Sequence, residues 1–409
     1  MKSINTYITL IIIFFLFHSC DDAKLFSLQG DSSGVIFENK LEYTEDFNPY
    51  TYRNFYNGAG VALGDINNDG LIDIYLTGNI VDNKMFLNKG NFQFEDITKI
   101  SGLACPNVWS TGATFADVNG DGLLDLYVCK SGAPGGENRH NELFINNGDL
   151  TFSEESKKYN LDIVGLSVHA AFFDYDKDGD LDCYVLNNSM RSIGGYDLIE
   201  DQREIADPEG EGNKLLENRN GKFVDVTQTA GIYSSKIGFG LGITLSDYNN
   251  DGWSDLFISN DFFEKDYLYI NNKDGTFSEE SENFFQSLSL GSMGADSSDL
   301  DNDLLTDLIV TEMLPKSLKR KKTKAIYESW DKYSLAKSKG YYHQFPRNVL
   351  QRNYGPSGFL EIGRYSGVSA TDWSWASMIF DMDNDGLRDV FIANGIYKDL
   401  LDRDYLAYM

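Results

Sequence analysis

Apolar residues in this chain fall in short runs bounded by Gly, Asn and Asp, with no long stripe at helical spacing. One set of runs is Gly60-Val-Ala-Leu63, Gly112-Ala-Thr-Phe115, Ala170-Ala-Phe-Phe173, Gly242-Ile-Thr-Leu245 and Ser377-Met-Ile-Phe380. A second set follows a polar turn: Ile72-Asp-Ile-Tyr-Leu76, Leu124-Asp-Leu-Tyr-Val128, Asp255-Leu-Phe-Ile258 and Asp389-Val-Phe-Ile392. Such runs read as strands, and their consecutive apolar positions predict burial on both faces. A second hairpin comes next, for example Lys84-Met-Phe-Leu-Asn88 turning into Phe92-Gln-Phe-Glu-Asp96. Its parallels pair Glu142–Asn146 with Thr151-Phe152, Lys214–Asn218 with Lys222-Phe223, and Tyr267–Asn271 with Thr276-Phe277. Each unit is therefore four short antiparallel strands.

The polar turn between the first two strands is a ladder of oxygen side chains, written six times. The copies are Asp65-Ile-Asn67-Asn-Asp69-Gly70-Leu71-Ile-Asp73, Asp117–Asp125, Asp174–Asp182, Asp247–Asp255, Asp299–Asp307 and Asp381–Asp389. Asp or Asn stands at positions 1, 3, 5 and 9 of each copy. Position 6 is Gly70, Gly122, Gly179, Gly252 and Gly386, broken only by Leu304. Calcium takes six to eight oxygens and tolerates irregular geometry, so the spacing points to Ca²⁺. The first loop would offer side chains of Asp65, Asn67, Asp69 and Asp73 and the backbone carbonyl of Leu71. The others would offer Asp117, Asn119, Asp121, Leu123 and Asp125; Asp174, Asp176, Asp178, Asp180 and Asp182; Asp247, Asn249, Asp251, Trp253 and Asp255; Asp299, Asp301, Asp303, Leu305 and Asp307; and Asp381, Asp383, Asp385, Leu387 and Asp389. Leu304 is expected to strain or reshape the fifth loop, because glycine reaches positive φ at low cost.

Repeats of about 50 residues or more, each a small four-stranded sheet, predict an all-β fold: a β-propeller, with a linear solenoid as the competing layout. Composition agrees: 42% hydrophobic, 14% aromatic, 38 glycines and few prolines favour strands joined by turns. The formal net charge of −28 argues against a nucleic-acid partner, which needs positive charge facing phosphates. Much of that charge lies in the ladders, where bound cations would offset it.

At the N-terminus, Lys2, the apolar run Ile8–Phe17 and Phe17-His18-Ser19-Cys20 predict a signal peptide over residues 1–19. A small residue before Cys resembles a bacterial lipobox, with lipidation of Cys20 and a membrane anchor; a plain secretory signal is the alternative. Residues 20–50 are expected to tether the propeller, residues 51–409. Cys105, Cys129 and Cys183 form no disulfide framework and are expected as buried thiols. Two insertions are expected, at 188–212 and 314–345. The second is a small helical insertion that opens on a basic stretch from Lys316 to Lys324; it reads as a solvated helix or as a docking surface.

The ladders with their flanking strands resemble FG-GAP/VCBS repeats of the integrin α-subunit type, from about Phe55 to Asn394. Leu41–Phe47, Tyr52–Gly58, Gly340–Gln344 and Asp372–Trp375 resemble the Bacteroidota secreted proteins related to cartilage acidic protein and the ASPIC/UnbV group. The resemblance implies a commonly seven-bladed propeller with calcium in these hairpin loops and a generally non-enzymatic role. It also implies a longer chain than this one; with six ladders, either residues 41–58 help complete a blade or the ring is incomplete. The expected function is a calcium-stabilised, surface-tethered binding or adhesion module on the outer membrane, for an extracellular protein or glycan. Trp109, Trp373 and Trp375 are candidate contacts. The alternatives are a scaffold in an outer-membrane uptake complex and a calcium-dependent enzyme acting on polysaccharide.

Overall fold

The computed structural model describes residues 25–131, 138–189, 212–235, 237–262, 264–324, 329–399 and 402–408. The expected signal peptide, Cys20 and most of the 188–212 insertion lie outside the described residues.

The apolar runs form five four-stranded antiparallel sheets, each wound in simple sequential order. Blade 1 is β1 (Val61–Gly64), β2 (Asp73–Leu76), β3 (Lys84–Asn88) and β4 (Phe94–Asp96). Blade 2 is β5 (Ser110–Ala116), β6 (Asp125–Lys130), β7 (Glu142–Asn146) and β8 (Phe152–Glu154). Blade 3 is β9 (Leu166–Phe173), β10 (Asp182–Asn188), β11 (Lys214–Asn218) and β12 (Phe223–Asp225). Blade 4 is β13 (Gly240–Ser246), β14 (Asp255–Asn260), β15 (Tyr267–Asn271) and β16 (Phe277–Glu279). A short parallel pair, β17 (Leu288–Ser289) with β20 (Gln344–Phe345), flanks blade 5, whose strands are β18 (Ala295–Ser298), β19 (Asp307–Val310), β21 (Val349–Asn353) and β22 (Phe359–Glu361). Blade 6 has two strands, β23 (Ser374–Phe380) and β24 (Asp389–Asn394).

The first strands β1, β5, β9, β13, β18 and β23 pack serially against one another, so the sheets stand side by side in a propeller-like arrangement. Glycine permits this at one end. A Cβ on Gly60 would lie 2.4 Å from the Thr111 carbonyl oxygen, and one on Gly294 2.6 Å from that of Trp375. The core is a series of clusters between neighbouring blades. Tyr75, Met85 and Leu87 of blade 1 meet Ala113, Leu126, Val128 and Phe144 of blade 2, all under 10% exposed. The same interdigitation of apolar faces recurs around the molecule.

Residues 41–58 do not complete a blade. They hold one 3₁₀ turn, Arg53–Tyr56, and pack Phe47, Tyr52 and Phe55 against Trp109. Residues 314–345 contain helices Leu318–Thr323 and Trp330–Ser338, each started by a serine side chain that accepts a backbone N–H. No helix among the described residues is long and apolar enough to cross a membrane.

Candidate metal centres

Each ladder occupies the connection between the first two strands of its blade, and the six share a set of hydrogen bonds in which the position-1 carboxylate accepts the N–H groups of positions 5 and 6 and the position-5 carboxylate accepts that of position 7. In the second, the Asp121 N–H donates to Asp117 Oδ1 at 3.0 Å and to Asn119 Oδ1 at 3.0 Å. The Gly122 N–H donates to Asp117 Oδ2 at 2.8 Å, and the Leu123 N–H to Asp121 Oδ1 at 2.9 Å. Position 4 takes the left-handed conformation in every loop, at Asn68, Gly120, Lys177, Asn250, Asn302 and Asn384. Position 6 does so as well. Leu304 adopts φ +70°, and its N–H donates to Asp299 Oδ2 at 2.9 Å as the glycines do. The fifth loop is thus strained but not reshaped, since the Leu304 side chain is 84% exposed and meets no obstacle.

This folding gathers the ladder carboxylates. Ligand atoms of Asp174, Asp176 and Asp182, of Asp299, Asp301 and Asp303, and of Asp381, Asp383 and Asp385 lie within 4.8 Å of one another. In the first, second and fourth loops Asn takes position 3, and Asn67, Asn119 and Asn249 donate Nδ2 to the position-5 carboxylates at 2.8–3.0 Å. Position 7, which is Leu71, Leu123, Asp180, Trp253, Leu305 and Leu387, lies in the same turn with its N–H on the position-5 carboxylate.

Position 9 behaves differently from the rest. Asp73, Asp125, Asp182, Asp255 and Asp307 are 0–1% exposed. Both oxygens of each accept backbone N–H groups; Asp125 takes Val118 at 3.0 Å and Asn146 at 2.9 Å. Burial pushes Asp125, Asp255 and Asp307 up to about 6 and Asp182 up to about 7, and the neighbouring ladder carboxylates add to the rise. In the third loop Asp180 is pushed up to about 6, and its buried Oδ1 has no hydrogen-bond partner. Crowded, half-buried carboxylates with an orphaned oxygen fit a divalent cation, whose charge removes the penalty on ionising them.

The sequence pattern did not reveal a second device. The third strand is bracketed by two amide side chains five residues apart: Asn83 and Asn88, Asn141 and Asn146, Asn213 and Asn218, Asn348 and Asn353, with Asp266 and Asn271 in blade 4. The leading side chain accepts the N–H at the end of strand two, as Asn141 Oδ1 does from Lys130 at 2.9 Å. The trailing Asn gives its backbone N–H to the position-9 carboxylate. In blades 2, 4 and 5 its side chain reaches the preceding blade, where Asn146 Nδ2 donates to the Ile66 carbonyl at 2.8 Å, Asn271 to Tyr175 at 2.8 Å and Asn353 to Tyr248 at 3.1 Å, whereas Asn88 and Asn218 donate to Ile72 and Leu181 of their own blades. Further ties join neighbouring loops directly, from Asn68 Nδ2 to the Gly122 carbonyl and from Asn302 Nδ2 to that of Gly386, both 3.0 Å. The fixed spacing of the Asn pair was a readable signal, but only the fold shows its purpose.

A family model for the FG-GAP-like repeat matches residues 65–128 and 247–310, which take in the first, second, fourth and fifth ladders. The chain carries FG-GAP-like repeats. Cartilage acidic protein 1 of Xenopus tropicalis is 28% identical over 56% of this chain and 32% of its own length. The Homo sapiens protein of that name is 27% identical over 49% of this chain and 28% of its own. The match thus spans about a third of the length of these relatives. The Vibrio cholerae biofilm matrix protein Bap1 superposes with a TM-score of 0.31 at 17% identity, over 64% of this chain and 36% of that one.

The other sequence candidates divide. Trp109 is fully buried among aromatic rings and cannot touch a ligand at the rim; Trp373 and Trp375 stack on each other at 5.9 Å, with Trp375 partly exposed. Of the basic stretch, Arg320 pairs with Asp372 and Asp399, and Lys324 with Asp399, while Lys316, Lys319, Lys321 and Lys322 face solvent. Cys105, Cys129 and Cys183 are buried free thiols. A cavity of about 270 Å³ opens where the first strands meet, lined by Asn54, Gly60, Thr111, Gly112, His169 and Leu241 among others. Burial lowers the His169 pKa and keeps the ring neutral.

Proposed function

We propose that the protein is a calcium-stabilised, non-enzymatic binding module held at the outer surface of the cell through a lipid on Cys20, and that it presents loops to a protein or glycan. The observation that carries this reading is the convergence of three acidic side chains in a single pocket in the third, fifth and sixth ladders. In this role Asp174, Asp176 and Asp182, and their counterparts in the other loops, hold Ca²⁺. The ion supplies charge neutralisation that fixes the turn, and the buried position-9 carboxylate anchors that turn to the outer hairpin. Loops joining rigid sheets are the usual sites of recognition.

A catalytic role is weakly supported. Hydrolysis of a glycosidic bond needs a pair of carboxylic acids facing one cleft. Among the described residues that line the cavity where the first strands meet, His169 is the ionisable one, and the ladder carboxylates are committed to their turns. The four exposed lysines from Lys316 to Lys322 favour a second reading, docking of an acidic subunit in an outer-membrane complex.

Isothermal titration of chelated protein with Ca²⁺, followed by glycan-array and whole-cell binding with and without the ion, tests the first reading. Calcium uptake together with calcium-dependent binding is the expected result. No heat of binding, or reducing or unsaturated ends released from polysaccharide, would overturn it.

A further inference from the structure

Position 4 of each ladder is a left-handed residue between two ligand positions, and in alternate loops its side chain crosses to the next blade. Asn68 of the first loop donates Nδ2 to the Gly122 carbonyl of the second at 3.0 Å. Lys177 of the third loop gives Nζ to the Gly252 carbonyl of the fourth at 2.8 Å, and Asn302 of the fifth gives Nδ2 to the Gly386 carbonyl of the sixth at 3.0 Å. All three bonds run from position 4 to position 6. The series breaks after the second loop, where position 4 is Gly120 and has no side chain. It breaks again after the fourth, where no hydrogen bond carries the Asn250 side chain to the fifth loop among the described residues.

The accepting carbonyl belongs to the peptide between positions 6 and 7. The N–H of that same peptide donates to the position-5 carboxylate: Leu123 to Asp121 Oδ1 at 2.9 Å, Trp253 to Asp251 Oδ1 at 2.9 Å and Leu387 to Asp385 Oδ1 at 2.8 Å. A single rigid plane is thus gripped at its oxygen by the neighbouring loop and at its nitrogen by a ladder carboxylate of its own loop. Lys177 adds a second grip, with Nζ 4.4 Å from the centre of the Trp253 ring at position 7. In the last pair the tie is returned, from Arg388 Nε to the Asp299 carbonyl at 2.9 Å. The trailing asparagines end instead on position 2 and also join blade 5 to blade 4, so they brace the framework without grouping the loops.

We propose that the six loops take up cations as three coupled pairs, first with second, third with fourth and fifth with sixth. Asn68, Lys177 and Asn302 are the positioning residues that transmit the coupling. The inference rests on the calcium reading given above. Ordering positions 3 and 5 of one loop orders the side chain between them, and that side chain holds the 6–7 peptide of its partner. The partner then gives up less freedom when its own ligands close, and by linkage the effect is reciprocal.

Trp253 makes the fourth loop its own reporter, because Tb³⁺ bound there is excited through the adjacent indole. The full chain, stripped of cations, is titrated with Tb³⁺ under tryptophan excitation; the signal that Trp253→Phe removes belongs to the fourth loop. Asp176→Ala takes a ligand from the third loop and raises the half-saturating Tb³⁺ concentration of the fourth about fivefold, the range of one exposed hydrogen bond. Lys177→Ala raises it similarly, and the two together raise it little further. Lys177→Asn restores the dependence on Asp176, since Asn does this work in the first and fifth loops. Both Lys177 variants remove the lysine charge, so their difference reads the hydrogen bond. Asp117→Ala, in the second loop, leaves the fourth unchanged. Circular dichroism checks each fold, and the two Lys177 variants, at an exposed side chain, carry the test where Asp176→Ala does not fold. A fourth-loop midpoint indifferent to Asp176 and Lys177, or shifted equally by Asp117→Ala, overturns the pairing while the calcium reading stands. Absence of any heat of Tb³⁺ or Ca²⁺ binding to the unsubstituted chain overturns the calcium reading and the pairing with it.

Discussion

Blades 2 and 6 carry the same ladder, the same alternation of strands and the same hydrogen bonds inside the turn, yet one is closed and the other open. In blade 2 the position-9 carboxylate, Asp125, is fully buried and takes two backbone N–H groups; in blade 6 Asp389 is exposed and takes one from within its loop. Tyr127 is 1% exposed and gives its hydroxyl to the Leu161 carbonyl at 2.9 Å, whereas its counterpart Phe391 faces solvent. The loop is thus a local structure that nine residues can write alone. Its anchoring is not local: it requires the third strand of its own blade, and the buried apolar face requires the next blade.

The largest effect should come from removing the cation. Extracellular sites commonly hold calcium at a Kd of about 10⁻⁴–10⁻³ M, so at about 10 mM Ca²⁺ each loop contributes roughly 1–3 kcal/mol. EDTA should lower the melting temperature by several degrees, and calcium should restore it. Asp117→Ala should reduce that calcium-dependent rise more than Asp381→Ala, because only the blade 2 loop is coupled to a packed hairpin. Equal effects, read by calorimetry, would break the comparison.

Truncating the matched aromatics comes next. Tyr127→Ala should cost about 3–5 kcal/mol in denaturant unfolding, and Phe391→Ala less than about 1 kcal/mol, since little packing is lost at an exposed face. A third contrast is in titration. Enclosed between blades, Glu312 is 1% exposed and is pushed up to about 8 by burial, with the nearby Asp261 carboxylate adding to the rise. Asp266 is pushed up to about 7 for the same first reason. Both hold protons in the native state that the unfolded chain releases, so their stabilisation is complete below about pH 4 and is lost as pH rises to about 8. In EDTA, stability should fall across that window by up to about 1.4 kcal/mol per pH unit per group, and Glu312→Gln should flatten the slope. The smallest effect is Leu304→Gly, which should stabilise by about 1 kcal/mol by relieving a left-handed leucine.

The strands, their sequential pairing and the six turns were legible in the sequence because each rests on neighbours in the chain: short apolar runs between turn residues, Gly at position 6, Asx side chains folding onto their own backbone. The role of residues 41–58 and of Trp109 was not, since an aromatic run carries no mark of what it packs against. The Asn brackets at 83 and 88, or 141 and 146, were visible as letters but mute as function, because their partners lie in another strand or another blade. Leu304 looked like a break and proved a tolerated strain, for its side chain points into open solvent.

By itself, then, the order of residues determined a repeated four-stranded unit and a set of acidic turns suited to a hard cation. Tertiary structure alone decided which carboxylates are buried, which asparagines bind blade to blade, and that one flank keeps its apolar face uncovered. Burial is a property of what stands opposite a residue, and in a series of packed sheets what stands opposite is some fifty residues away or more.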